Sequence, residues 1–158
     1  MPPETPILLL EQLSKALSWK ETLAVLTVRF LQEAQEECPV EHLFKDGHYF
    51  RTMRIPANTF FIGRPHRVGH EVQLLEGQVM LIHPKAREIR TAVDALQSFP
   101  GFQTVFVALT DVLGRTVHPD NGERDINKLE NDIFESVDSI KALGQEVIQR
   151  LERESCPA

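Results

Sequence analysis

Glu71-Val72-Gln73-Leu74-Leu75-Glu76-Gly77-Gln78-Val79-Met80-Leu81-Ile82 sets two short apolar runs on either side of a Glu-Gly pair. Runs of this length and composition read as strands, and the glycine between them predicts a hairpin turn. The pattern continues outward in both directions. Upstream, His48 to Ile55 is rich in aromatic and branched residues. Pro56-Ala57-Asn58 punctuates it, and Asn58 to Ile62 reads as a second short strand broken by Gly63-Arg64-Pro65. Downstream, His83-Pro84-Lys85-Ala86 turns, Arg87 to Leu96 fits either strand or helix, and Ser98-Phe99-Pro100-Gly101 turns again. Thr104 to Leu109 and Arg115 to Val117 then read as strands around Asp111 to Gly114. Many short strands at this spacing predict a sandwich or barrel rather than alternating β-α units.

The two ends are written in a helical period. Residues 7–37 read as helix, and Ser18-Trp19-Lys20-Glu21 fits a capping box that splits them into segments near 7–17 and 19–37. Leu23, Leu26, Phe30 and Ala34 share one face of the second segment, and Cys38-Pro39 is expected to stop it. After His118-Pro119-Asp120-Asn121-Gly122, Asp125 caps a stretch bearing Leu129 and Ile133. A last helix near 137–153 carries Ile140, Leu143, Val147 and Leu151 as a stripe. That stripe either packs on this chain or meets another subunit. The expected organisation is a helical extension over 1–38, a β-barrel over 39–124 and a helical segment over 125–158.

Composition narrows the function classes. The chain has 158 residues, 42% hydrophobic and 25% charged, which suits one ordinary globular domain. Seventeen Lys and Arg against 23 Asp and Glu give a net charge of −6, a poor match to a nucleic-acid binder. The run Ile7 to Leu10 is too short to span a bilayer, and the first residues lack the positive charge of a signal peptide. Cys38 and Cys156 read as free thiols in a reducing compartment. The sequence-based expectation is a cytoplasmic protein with neither membrane nor nucleic acid as partner.

Six histidines carry most of the chemical interest, above all the pair in Gly63-Arg64-Pro65-His66-Arg67-Val68-Gly69-His70. Pro65 and Gly69 argue against a helix there, leaving a loop that enters a strand. Neutral imidazole is a common ligand for zinc, iron, copper and nickel, so His66 and His70 could hold a metal. The commoner fate of such a pair is two loop histidines paired with neighbours such as Glu71. Strand alternation lets only one of His70 and Glu71 face inward. Arg51 and Arg54 are likewise opposite in parity, so one of them could face the barrel and contact an anion. His118 ends a strand and either points inward or closes it; His42, His48 and His83 fit local roles.

These residues carry a resemblance. Ile55-Pro56-Ala57-Asn58-Thr59, the His66/His70 pair and Leu75-Glu76-Gly77-Gln78-Val79 resemble the first motif of the cupin superfamily. Together with Pro39-Val40-Glu41-His42-Leu43-Phe44, Thr116 to Pro119 and Asp125 to Glu130, they are most similar to small cupin-like proteins of bacteriophages and prophages. The resemblance covers roughly residues 39–131. It implies a cupin-like jelly-roll barrel, so the fold class expected is mainly β with N- and C-terminal helical extensions. By that resemblance His70 falls at the family's glutamate ligand and His66 at its second histidine. Arg64 falls at the first histidine, and Thr104 near the histidine of the second motif. Two of four ligand positions are thus replaced, and His118 or Glu71 would have to complete a metal shell.

Two expectations of function follow. One is a phage-type structural or interaction protein, non-catalytic, with a degenerate metal site, which self-assembles or docks on a larger assembly in the host cytoplasm or on a virion. The other is a cupin that binds a small anion or one divalent transition metal and could carry an enzymatic activity. Its metal ligands would be His66, His70 and His118, and Arg64, Arg51 and Thr104 would contact the ligand. Two arginines, two histidines and no carboxylate in residues 63–70 make the mouth locally basic, which suits an anion.

Overall fold

In the computed structural model, which describes residues 2–156, the branched and aromatic runs become strands. They are β1 (Val40–Lys45), β2 (His48–Ile55), β3 (Phe60–Ile62), β4 (Glu71–Glu76), β5 (Gln78–Ile82), β6 (Arg87–Thr91), β7 (Asp94–Gln97), β8 (Val105–Ala108) and β9 (Val112–Pro119). All pair antiparallel, in a five-stranded sheet of order β1-β2-β9-β4-β7 and a four-stranded sheet of order β3-β8-β5-β6. This is the two-sheet jelly-roll architecture expected from the sequence, with helices before and after it in the chain. Ile55, Val79, Phe106, Ala108 and Val112 fill the space between the sheets, backed by Met53, Phe61, Leu74 and Leu81.

Gly77 does not close a hairpin. β4 and β5 lie in different sheets, and Gly77 is where the chain crosses from one to the other. Its φ is +94°, and a Cβ there would overlap the Asp111 carbonyl oxygen. The crossing is fastened by the Gln78 N–H, which donates to Thr110 Oγ1 at 3.0 Å, and by the Leu109 N–H, which donates to the Gln78 carbonyl at 2.9 Å. Apolar alternation identifies a strand but not its partner, which here is supplied by β9, some forty residues away. Arg87 to Leu96 resolves as strand, and it too changes sheet between β6 and β7. β9 begins at Val112 rather than Arg115, because the turn before it is shorter than expected; the Asp111 carboxylate accepts the Ala57 N–H at 2.9 Å.

Helix α1 (Glu4–Ser14) and helix α2 (Trp19–Phe30) precede the strands; α3 (Ile126–Ile133) and α4 (Val137–Ser155) follow them. The chain divides into two compact units, one of residues 36–135 and one formed by the chain up to residue 35 together with the chain from residue 136. This places α3 with the strands, whereas the sequence reading grouped it with the C-terminal segment. The reason is the cluster of Tyr49, Leu129, Ile133 and Phe134, which joins the α3 face to β2. The Asp125 carboxylate caps α3 by accepting the Asn127 and Lys128 amides.

In the helical unit the capping box forms as expected, with Ser18 and Glu21 satisfying each other's amides. α2 ends at Phe30, well before Cys38-Pro39. Residues 31–37 offer little apolar surface to bury, and Glu33, Glu36 and Glu37 would oppose the helix dipole at that end. α4 meets α2 across Gly144, where a Cβ would overlap the Ala24 carbonyl oxygen. Ile140 and Val147 of the stripe are buried within this chain, beside Leu23 and Leu26 of the same unit. Cys38 and Cys156 are both free. Among the described residues no helix is long and apolar enough to cross a membrane.

Candidate ligand-binding site

The loop between β3 and β4 is fastened along both flanks, and this positions everything around it. On one flank the His66 N–H donates to the Phe102 carbonyl at 2.9 Å, the Gly101 N–H to the His66 carbonyl at 2.7 Å, and the Ser98 N–H to the His70 carbonyl at 2.8 Å. On the other, the Arg67 N–H donates to the Ile133 carbonyl at 2.7 Å and the Glu135 N–H to the Pro65 carbonyl at 2.8 Å. Arg67 Nε donates to the Phe134 carbonyl at 2.9 Å and Arg64 Nε to the Glu135 carbonyl at 2.8 Å. The loop therefore clamps the chain just past α3 and holds Phe134, which is only 6% exposed, against two groups of basic side chains.

The first group is a set of arginines at a cavity of about 210 Å³ inside the β unit. Met53, Ile55, Phe61 and Val72 give it apolar lining. Arg51 and Arg64 also line it, with Thr104 and Thr116; Arg115 borders it through its backbone, since strand alternation turns its side chain to the outer face. Arg51 Nη2 and Arg64 Nη1 each lie 3.6 Å from the same carboxylate oxygen, Glu130 Oε2. Both guanidiniums also stand 5.5 Å from the centre of the Phe134 ring, within cation–π range. Arg115 Nε donates to Gln73 Oε1 at 2.8 Å, and its guanidinium lies over Phe50. Arg51 Nε is buried and has no hydrogen-bond partner. Burial pulls the pKa of Arg64 down, and Glu130 acts against this. Guanidinium stays charged at any ordinary pH, so two positive charges, Arg51 and Arg64, face one carboxylate here.

The second group is a cluster of imidazoles on the same phenyl ring. His66 lies in the loop, His70 just ahead of β4, and His118 near the end of β9. Ring centres are 4.0 Å apart for His66 and His70 and 4.3 Å for His70 and His118. All three are nearly fully buried. Burial, with mutual repulsion as the next cause, pushes His66 and His118 down to about 3. Burial also lowers His70, against a hydrogen bond from its Nδ1–H to the Val68 carbonyl at 3.2 Å. His118 Nε2 is hydrogen-bonded to Thr116 Oγ1 at 2.8 Å. Each ring keeps one buried nitrogen without a partner: His66 Nδ1, His70 Nε2 and His118 Nδ1.

Three neutral imidazoles with unpartnered nitrogens are the right chemistry for a divalent transition metal. Their arrangement is not. Among the described residues no group of three or more His, Cys, Asp or Glu side chains is placed so that it could hold a metal ion. The rings lie close to one another without gathering their donor nitrogens around one point.

No family model matches the chain, and no curated protein sequence matches it. Solved structures do. One is a cupin-2 domain protein from Shewanella frigidimarina, 12% identical, matched over 58% of this chain and 88% of that one with a TM-score of 0.42. Another is ethanolamine utilization protein Q from Salmonella typhimurium, 19% identical, over 52% and 68% of the two chains, TM-score 0.43. A third is a cupin superfamily protein from Desulfitobacterium hafniense, 10% identical, over 55% and 82%, TM-score 0.43. Likeness at this level carries no argument about function, and the fold described above rests on the strand order itself.

The residues singled out in the sequence divide between the two groups. His66, His70 and His118 come together, and Arg51, Arg64 and Thr104 line the cavity with His66. Glu71 is exposed and Arg54 lies on the outer face, as parity requires. His42 is spent on the Tyr49 hydroxyl at 2.6 Å, and burial raises that phenol to about 12. Glu130 and Phe134 were not legible as site residues. The apolar pair Ile133-Phe134 at the end of an amphipathic helix is the one signal that could have pointed to Phe134.

Proposed function

We propose that the β unit is a binding domain for a small organic anion, one with a charged head and an apolar body. The observation that carries this is the unpartnered, buried Arg51 Nε at a cavity lined by two guanidiniums, those of Arg51 and Arg64, together with apolar side chains. A buried charged donor without a partner is costly, and an anionic ligand would relieve that cost. Planar guanidinium suits carboxylate or phosphate oxygens, while Met53, Ile55, Phe61 and Val72 suit a short hydrocarbon body. At about 210 Å³ the cavity favours a ligand below drug size. The motif resemblance adds a setting: a phage-type cupin-like protein with a structural or interaction role, self-assembling in the host cytoplasm or on a virion. Titration of the 15N-labelled protein with hexanoate tests the binding reading. Saturable shifts at the Arg51 and Arg64 side chains that vanish in Arg51→Gln support it, and a spectrum unmoved by hexanoate, phosphate and alkyl phosphate alike overturns it.

A second reading, one divalent transition metal at His66, His70 and His118, is favoured by the three unpartnered nitrogens and opposed by their failure to converge. Elemental analysis of the purified protein beside His66→Ala and His70→Ala decides it: stoichiometric metal lost in both variants would establish the site.

A further inference from the structure

Glu130 occupies an unusual place for a surface-helix carboxylate. A single oxygen of it lies 3.6 Å from Arg51 and 3.6 Å from Arg64, too far for a good hydrogen bond to either. Its partners are only 16% and 25% exposed as side chains, and it is itself 22% exposed. It therefore supplies the charge that two half-buried guanidiniums need without saturating them. Arg51 Nε stays unpaired, and Arg64 spends Nε on the Glu135 carbonyl and Nη2 on Asn131 Oδ1 at 3.3 Å. A bidentate carboxylate from a ligand would make shorter contacts than this shared oxygen does.

We infer that Glu130 is an internal stand-in for the ligand's head group, a carboxylate that an incoming organic anion displaces from Arg51 and Arg64. The inference rests on the anion-binding reading above and adds its regulation: α3 carries the competitor, so the ligand must beat an ion pair already made. It also sets the class of head group. Arg51 and Arg64 already meet on one carboxylate oxygen, so a carboxylate with an apolar tail exchanges most directly.

Calorimetric titration of hexanoate into the wild-type chain and into Glu130→Gln and Glu130→Asp tests this. Loss of the competitor should tighten binding by about five-fold in Glu130→Gln. Glu130→Asp keeps the charge but shortens the reach, and should tighten binding as well. Thermal melting establishes that each variant is folded, and the Asp variant keeps the test open if the Gln variant is not. Wild-type binding with unchanged or weaker affinity in Glu130→Gln would overturn the inference and leave the anion-binding reading standing. Tightening in Glu130→Gln but none in Glu130→Asp would also overturn it, because the effect would then come from the general field. No binding by wild type or by either variant would sink the anion-binding reading, and this inference with it.

Discussion

Two arginines and three histidines pack around one phenyl ring, yet burial treats them differently. Arg51 and Arg64 stand 5.5 Å from the centre of Phe134 and keep their charge, matched by Glu130. His66, His70 and His118 stand 5.3, 5.8 and 6.4 Å from the same centre and lose theirs. The difference lies in intrinsic basicity. Removing water costs a weak base its proton long before it costs a guanidinium one. A single aromatic ring thus touches both a charged pair and a neutral cluster packed like part of the core, and His66 of that cluster also lines the cavity.

Removing that ring should have the largest effect. Phe134→Ala is expected to lower stability by about 3–5 kcal/mol in denaturant unfolding, because it opens a cavity between both groups. A loss below about 1 kcal/mol would mean that the ring does not join them. Acid is the next lever, and of the two basic groups it titrates the histidines and not the arginines. His66 and His118 titrate near 3 in the folded protein and near 6.5 when unfolded. Their folded values are depressed, so stability is full above about pH 6.5 and falls as pH drops toward 3. The slope is about 1.4 kcal/mol per pH unit for each site. Urea midpoints measured between pH 7 and 4 should fall accordingly, and a His118→Phe variant should fall less steeply. Equal slopes in the two proteins would contradict a neutral buried cluster.

Smaller effects separate the arginine side from its surroundings. Arg51→Gln should weaken hexanoate binding about ten-fold or more while lowering stability by no more than about 1–2 kcal/mol, the scale of its long ion pair with Glu130 and its contact with Phe134. A large drop in stability with little change in binding would reverse its assignment. Glu71→Gln, one residue from His70 but on the exposed face, should change stability by no more than about 0.5 kcal/mol and binding not at all. Any measurable loss of binding would place that face in the site.

How much of this was legible in the sequence follows from the range of each interaction. Strand segments and caps are local, so β2, the Ser18 capping box and the Asp125 cap could be read directly. Gly77 could not, because its positive φ serves both a hairpin and a crossing, and the Asp111 carbonyl that excludes a side chain lies far along the chain. The end of α2 was misplaced since Cys38-Pro39 is a strong local stop, while the lack of anything to bury over 31–37 is a tertiary fact. His66, His70, Arg51 and Arg64 stood out through motif and parity. Their separation into charged and neutral groups depends on Phe134 and Glu130, which arrive from α3 and carry no motif.

If the arginine side of Phe134 receives an organic anion, the charged head rather than the apolar body decides binding. Calorimetry with hexanoate and with 1-hexanol, which share a body and differ in the head, tests this most directly. Saturable one-site binding of hexanoate, much weaker binding of hexanol, and loss of the preference in Arg51→Gln are the results predicted. Equal binding of the two, or hexanoate binding that Arg51→Gln leaves untouched, would contradict it.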